Sequence, residues 1–192
     1  AGIPLIVDNT FPTPYLCRPF EWGADIVVHS ATKFLGGHGT TMGGLIVESG
    51  KFPWDNGNFP DMIEPSPGYH DVRFYETFGD FAYTMKARME QIRVLGPTLS
   101  PFNGFMLLQG IETLPVRMDR HCDNALGVAR FLRDHQKVDW VNYPGLEGDS
   151  YYRLAKKYFP KGSSAVLSFG IKGGRRAGEV FIESTHFLSH LA

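Results

Sequence analysis

Two short apolar runs set the strongest limit on how this chain folds. Residues 3–7 and 25–29 are rich in β-branched side chains and lack polar alternation, the pattern of strands buried on both faces of a parallel sheet. A third run, residues 44–47, resembles them. Between the first two, residues 13–23 are long enough to cross over a sheet and return. Asp8 and Ser30 are therefore expected at neighbouring strand ends, on the carboxyl edge where open α/β sheets bind ligands.

The rest of the chain reads as helices and shorter strands. Residues 51–71, rich in Pro, Gly and aromatics, predict a long irregular loop of the functional or covering kind. Helical patterns follow over residues 73–95 and, after a Ser100-Pro101 start signal, over 102–111, where Phe102, Phe105 and Met106 share one face. From Pro115 to about His135 runs an amphipathic stretch with Leu126, Ala129 and Leu132 or Phe131 on one side. Beyond it, the residue pattern predicts a strand over 138–143, a helix over 151–158, a strand over 165–171 and a helix over 177–188. That order suggests a second, smaller α+β unit.

Composition narrows the partners. With a formal net charge of −1 over 192 residues and no basic run, the chain lacks the footprint of a nucleic-acid or anionic-membrane binder, which leaves a small molecule. Two well-separated cysteines, Cys17 and Cys122, fit a reducing, cytoplasmic setting better than a disulfide framework. Neither they nor His29, His38, His70 and His121 form a metal-ligand pair. The opening "AGIPLIVDNT" enters a strand almost at once, so the chain is expected to be a fragment of something longer.

The chemistry concentrates in "VVHSATKFLGGHG", residues 27–39. Ser30, Thr32 and Lys33 fall in one turn, and Gly36, Gly37 and Gly39 let backbone approach a ligand closely. Such a patch suits a phosphate. A nucleotide P-loop needs its glycines before the lysine and a hydroxyl directly after it; here the order is reversed, and a nucleotide-binding module stays a rival reading. A pyridoxal phosphate site instead needs an amine for the aldehyde, hydroxyl and backbone donors for the phosphate, and a carboxylate opposite the ring nitrogen. Lys33, Ser30 with Thr32, and Asp8 supply them, although "DNT" at 8–10 also reads as a plain turn or helix cap.

The stretch "VDNTFPTPYLCRPFEWGADIVVHSATKFLGGHG" closely resembles the Cys/Met-metabolism family of pyridoxal-phosphate enzymes, which holds cystathionine synthases and lyases, methionine γ-lyase and homoserine sulfhydrylases. "LGPTLSPFNGFMLLQGIETLPVRMDRHCDNA", "VDWVNYPGL" and "FGIKGG" extend the likeness over nearly the whole chain, nearest the O-acetylhomoserine sulfhydrylase branch. The resemblance implies an α/β chain of the fold-type I transferase class. Residues 1–115 would be the C-terminal half of a large domain with a mostly parallel sheet, and 116–192 a linking helix and the first part of a small α+β domain.

By the same resemblance Lys33 is the Schiff-base lysine, Asp8 the partner of the pyridinium nitrogen, and Ser30 and Thr32 hold the phosphate of pyridoxal 5'-phosphate. The implied reaction is replacement of acetate in O-acetyl-L-homoserine by sulfide, giving L-homocysteine. A γ-lyase or cystathionine γ-synthase of the same family is the nearest alternative, and an inactive fragment a further one. A homotetramer is implied, as are a ring-stacking Tyr and a carboxylate-binding Arg outside these residues.

Overall fold

The apolar runs become the sheet of the first part of the chain. In the computed structural model, which describes residues 2–190, β1 (Ile6–Asp8) pairs in parallel with β2 (Ile26–Ser30), Ile6 opposite Ile26 and Asp8 opposite Val28. The crossover holds α1 (Thr13–Leu16) and a 3-10 turn over Pro19–Trp22. Each carries a proline within its first two positions, where a missing N–H breaks no helical bond.

The first run pairs as expected but is not buried on both faces, since Ile3, Leu5 and Ile6 are exposed, and β3 (Gly44–Glu48) departs from the expectation of a third buried parallel strand. It runs antiparallel to β2, from Ser30 opposite Gly44 to Ile26 opposite Glu48, and Leu45, Ile46 and Val47 are exposed. The connection explains the direction. Lys33 N–H donates to Ser30 C=O at 3.2 Å, Gly36 N–H to Ala31 C=O at 2.9 Å and Gly37 N–H to Lys33 C=O at 2.8 Å. This compact turn brings the chain back beside β2 instead of carrying it across a face of the sheet.

Two units divide the chain, residues 1–115 and 116–192. In the first, Ile26, Trp54, Met62 and Ala82 form a buried cluster, with Trp54 stacked on Tyr83 at 5.5 Å between ring centroids. The proline-rich stretch therefore supplies core as well as surface, and includes α2 (Pro60–Ile63). The helical pattern over 73–95 is broken into α3 (Phe74–Phe78), α4 (Ala82–Lys86), a π-helical stretch Ala87–Ile92 and α5 (Arg93–Leu95). Gly79, at φ 51°, ends α3, a conformation open to glycine without a Cβ clash. Glu48 caps the restart: its carboxylate accepts the N–H groups of Tyr83 and Thr84 at 3.3 and 2.8 Å and the Thr84 hydroxyl at 2.5 Å. These are first-turn donors that the helix itself leaves unpaired.

α6 (Pro101–Glu112) starts where the sequence signals it, with Ser100 Oγ accepting Asn103 N–H at 3.1 Å and Pro101 in the first turn. Its buried face is Leu107 and Gly110, while Phe102 and Phe105 are exposed.

In the second unit the stripe of α7 (Leu114–Arg133) that is buried runs through Met118, Cys122, Ala125 and Ala129, helical spacing throughout. Phe131 is exposed. Ala125 and Ala129 cluster with Tyr143 and Leu146. β4 (Val138–Asn142) pairs antiparallel with β5 (Ser168–Ile171), and α8 (Tyr152–Tyr158) lies between them in sequence. α9 (Gly174–Glu183) begins and ends earlier than the sequence pattern predicts. Gly173, left-handed at φ 101°, turns the chain into it, and Ser184 N–H closes it on Val180 C=O at 3.0 Å.

Candidate active site

Because β1 and β2 are parallel, their carboxyl ends open on one edge, and the pairing continues past β1 as Asn9 N–H donates to Val28 C=O at 2.9 Å. Asp8 ends β1 with its carboxylate exposed, whereas Asn9 and Thr10 are buried. Thr10 is the hub of this edge. Its backbone N–H and its hydroxyl both donate to Asp8 Oδ1, at 3.0 and 2.6 Å, and the same hydroxyl accepts Ser30 N–H at 2.8 Å. The side-chain bond first, then the backbone bond, holds the Asp8 carboxyl below its ordinary value of 3.8, so Asp8 is an anion.

Ser30 begins the turn that carries the amine. Lys33 is exposed, two residues after Ala31 is buried, and Gly36 N–H ties the turn back to Ala31. Gly37 and Gly39 adopt φ of 71° and 65°, which keeps the outgoing backbone free of Cβ atoms. Thr32 is committed elsewhere in part: its hydroxyl accepts Gly43 N–H at 3.1 Å and reaches Gly43 C=O at 3.3 Å. It fixes the far end of the turn, and any phosphate it contacts shares it with Gly43.

His29 sits behind this edge. It is buried, and its Nδ1 has no hydrogen-bond partner. Burial pushes the imidazole below its ordinary value of 6.5, against the opposing pull of Asp8 and of a hydrogen bond to the Asn9 backbone. Cys17 is no activated thiol, since burial first and then Glu21 push it up.

The structure thus brings a strand-end carboxylate, a hydroxyl and a lysine turn to one edge, joined through Thr10. It adds Thr10 to the residues singled out from the sequence. The signal was there: Asp followed two residues later by a hydrogen-bonding Thr is an Asx-type turn. The turn and the site reading of "DNT" are compatible, because Thr10 occupies Oδ1 and holds the carboxylate ionised.

This set fits pyridoxal phosphate. An exposed amine on a glycine-flanked turn lies next to hydroxyl donors, and a carboxylate kept anionic by its own neighbour stands one strand away. The fold and edge define a chain of the fold-type I, pyridoxal-phosphate-dependent class.

The comparisons with known proteins agree. All 192 residues match the family described as Cys/Met metabolism PLP-dependent enzyme, and the chain belongs to it. It is 52% identical to the O-acetyl-L-homoserine sulfhydrylase of Leptospira meyeri, over 100% of this chain and 45% of that protein. It is also 52% identical to the homocysteine synthase of Schizosaccharomyces pombe, over 100% of this chain and 46% of that one. A crystal structure of a putative O-acetylhomoserine (thiol)-lyase from Campylobacter jejuni, which holds N'-pyridoxyl-lysine-5'-monophosphate, superposes with a TM-score of 0.90 at 36% identity. That match covers 98% of this chain and 47% of that one. The chain spans a little under half the length of these relatives.

Proposed function

We propose that the whole protein carrying this chain is an O-acetyl-L-homoserine sulfhydrylase: acetate leaves the γ-carbon with its bonding electrons, sulfide takes its place, and L-homocysteine results. The observation that carries this reading is the lysine turn joined through Thr10 to an anionic Asp8, in a chain 52% identical over its full length to an O-acetyl-L-homoserine sulfhydrylase.

Pyridoxal phosphate, when bound, supplies an aldehyde for amines and a protonated ring that withdraws electrons from the substrate carbons. Lys33 would hold the cofactor, and its Nζ, once free, would take protons from the substrate carbons and return them. Asp8 would partner the ring nitrogen and keep it protonated, a role suited to a carboxylate that Thr10 holds ionised. Ser30, with Thr32, anchors the phosphate. Residues 1–115 are then part of the large cofactor-binding domain and 116–192 the linking helix and part of the small domain, in a cytoplasmic homotetramer.

The test is an assay of the whole protein with O-acetylhomoserine and sulfide beside methionine alone. Homocysteine and acetate in equal amounts support the proposal; α-ketobutyrate from methionine, with no homocysteine from the ester, makes the protein a γ-lyase instead.

A further inference from the structure

We infer that Gly110, on α6 and far from Lys33 in sequence, is a positioning residue for the lysine turn. The inference rests on the proposed role of Lys33 and adds a residue to it. At Gly110 a Cβ would lie 2.1 Å from Gly36 O, 2.7 Å from Gly36 C and 2.8 Å from Leu35 O. All three are backbone atoms of the lysine turn, so no side chain can swing aside. The helix and the turn therefore meet backbone to backbone, and only glycine permits it.

One helical turn earlier, Leu107 touches both ends of the same turn. Its methyls are at 3.0 Å from Cβ positions built on Gly36 and on Gly43. Gly36 N–H bonds to Ala31 C=O, Gly37 N–H to Lys33 C=O, and Gly43 N–H to Thr32 Oγ1. The buried face of α6 thus presses on the residues whose hydrogen bonds hold Ala31, Thr32 and Lys33. A helix seated this closely is a rigid backstop that sets where the Lys33 backbone lies.

A methyl at position 110 changes that position. To bring the new carbon to 3.0 Å from Gly36 O, inside which real Cβ atoms essentially never come, helix or turn must retreat by about 0.9 Å. A displacement of about 1 Å at a reacting group costs on the order of 100-fold in rate. Gly104, on the same helix, is the internal control: a Cβ there meets only Leu99 Cδ2 at 3.9 Å, an ordinary contact.

The experiment uses the whole protein with pyridoxal phosphate bound, as wild type, Gly110→Ala, Gly104→Ala and Gly36→Ala. Four quantities are read: melting temperature, the pH midpoint of the cofactor's visible absorbance, the fraction of borohydride-fixed cofactor recovered on Lys33 by peptide mapping, and the rate of homocysteine formation. For Gly110→Ala the expected result is a folded protein with a displaced midpoint, a lowered fixed fraction and a rate reduced roughly 100-fold; Gly104→Ala is expected to match wild type in midpoint, fixed fraction and rate, with a melting temperature equal or higher because alanine replaces glycine in a helix. If Gly110→Ala does not fold, Gly36→Ala decides. It places the methyl on the opposite partner, 2.9 Å from Ala31 O and 3.0 Å from the flexible end of Leu107, and a smaller displacement in the same sense is expected. A wild-type midpoint and fixed fraction in the deciding variant overturns the inference, as does an equal change in Gly104→Ala. Absence of label on Lys33 in the wild type would instead defeat the proposed function, a separate outcome.

Discussion

Thr10 donates twice to Asp8 Oδ1, from its hydroxyl at 2.6 Å and its backbone N–H at 3.0 Å, and the hydroxyl still accepts Ser30 N–H at 2.8 Å. One side chain thereby sets the ionisation of the carboxylate at the end of β1 and satisfies the first donor of the lysine turn. Thr10→Val keeps the shape and removes the hydroxyl. Ser30 N–H then loses its acceptor, which costs about 1–3 kcal/mol in denaturant unfolding, and the Asp8 carboxyl moves back up toward its ordinary value in an NMR titration. Thr10→Ser retains the oxygen and is expected to preserve both properties.

The acid side of the stability curve carries the signature of His29. Its imidazole is held below 6.5 in the folded protein, so between that lowered value and 6.5 the unfolded chain binds a proton that the folded one does not. Stability accordingly falls as pH drops through 6.5 and flattens once the folded ring also titrates. Asp8 acts further down: held below 3.8, it contributes stability above that pH and loses it as pH falls through its folded value. In His29→Gln the slope just below pH 6.5 should shrink while the deeper acid limb remains, as read from unfolding midpoints at stepped pH. An unchanged slope would assign the upper limb to another group.

The carboxyl-edge placement of Asp8 and Ser30 was legible because it follows from two local signals, apolar runs without alternation and a crossover of sufficient length between them. Direction in the sheet was not. Residues 44–47 look the same whichever way they run, and the decision lies in hydrogen bonds within the turn over residues 30–37. Gly110 was illegible for a related reason. A glycine in a helical pattern reads as a propensity cost, and only the tertiary seat of α6 against Gly36 shows what it permits. The face of Phe102 and Phe105 misleads likewise, since periodicity finds an apolar stripe without saying what covers it.

Phe74 tests how much of the first unit hangs on the aromatic segment. It is fully buried, lies 6.0 Å from the Phe78 ring, and has Lys86 Nζ 4.7 Å from its ring centroid. Lys86 is in turn paired with Glu90 at 2.8 Å. Phe74→Ala leaves a cavity where α3 packs on α4 and removes the ring facing the ammonium, a loss of about 3–5 kcal/mol. Phe74→Leu keeps most of the volume and should lose distinctly less. Equal losses in the two variants would point to the cation–π contact over packing, because both remove the ring.

Tyr143 offers the corresponding test in the second unit. Its side chain is 1% exposed, its hydroxyl donates to Ser164 C=O at 2.9 Å, and its ring packs with Ala125 and Ala129 of α7. Burial above all, helped by Cys122 and Asp123, pushes the phenol up to about 12. Ionisation would put a charge in the cluster and turn the hydroxyl from donor to acceptor facing a carbonyl oxygen, so deprotonation and loss of packing are coupled. A spectrophotometric titration should therefore show one late tyrosine whose ionisation coincides with loss of folded signal. Tyr143→Phe removes that late step, leaves Ser164 C=O without the Tyr143 hydroxyl, and costs about 1–2 kcal/mol at neutral pH. A variant in which the late step persists would place it on another tyrosine.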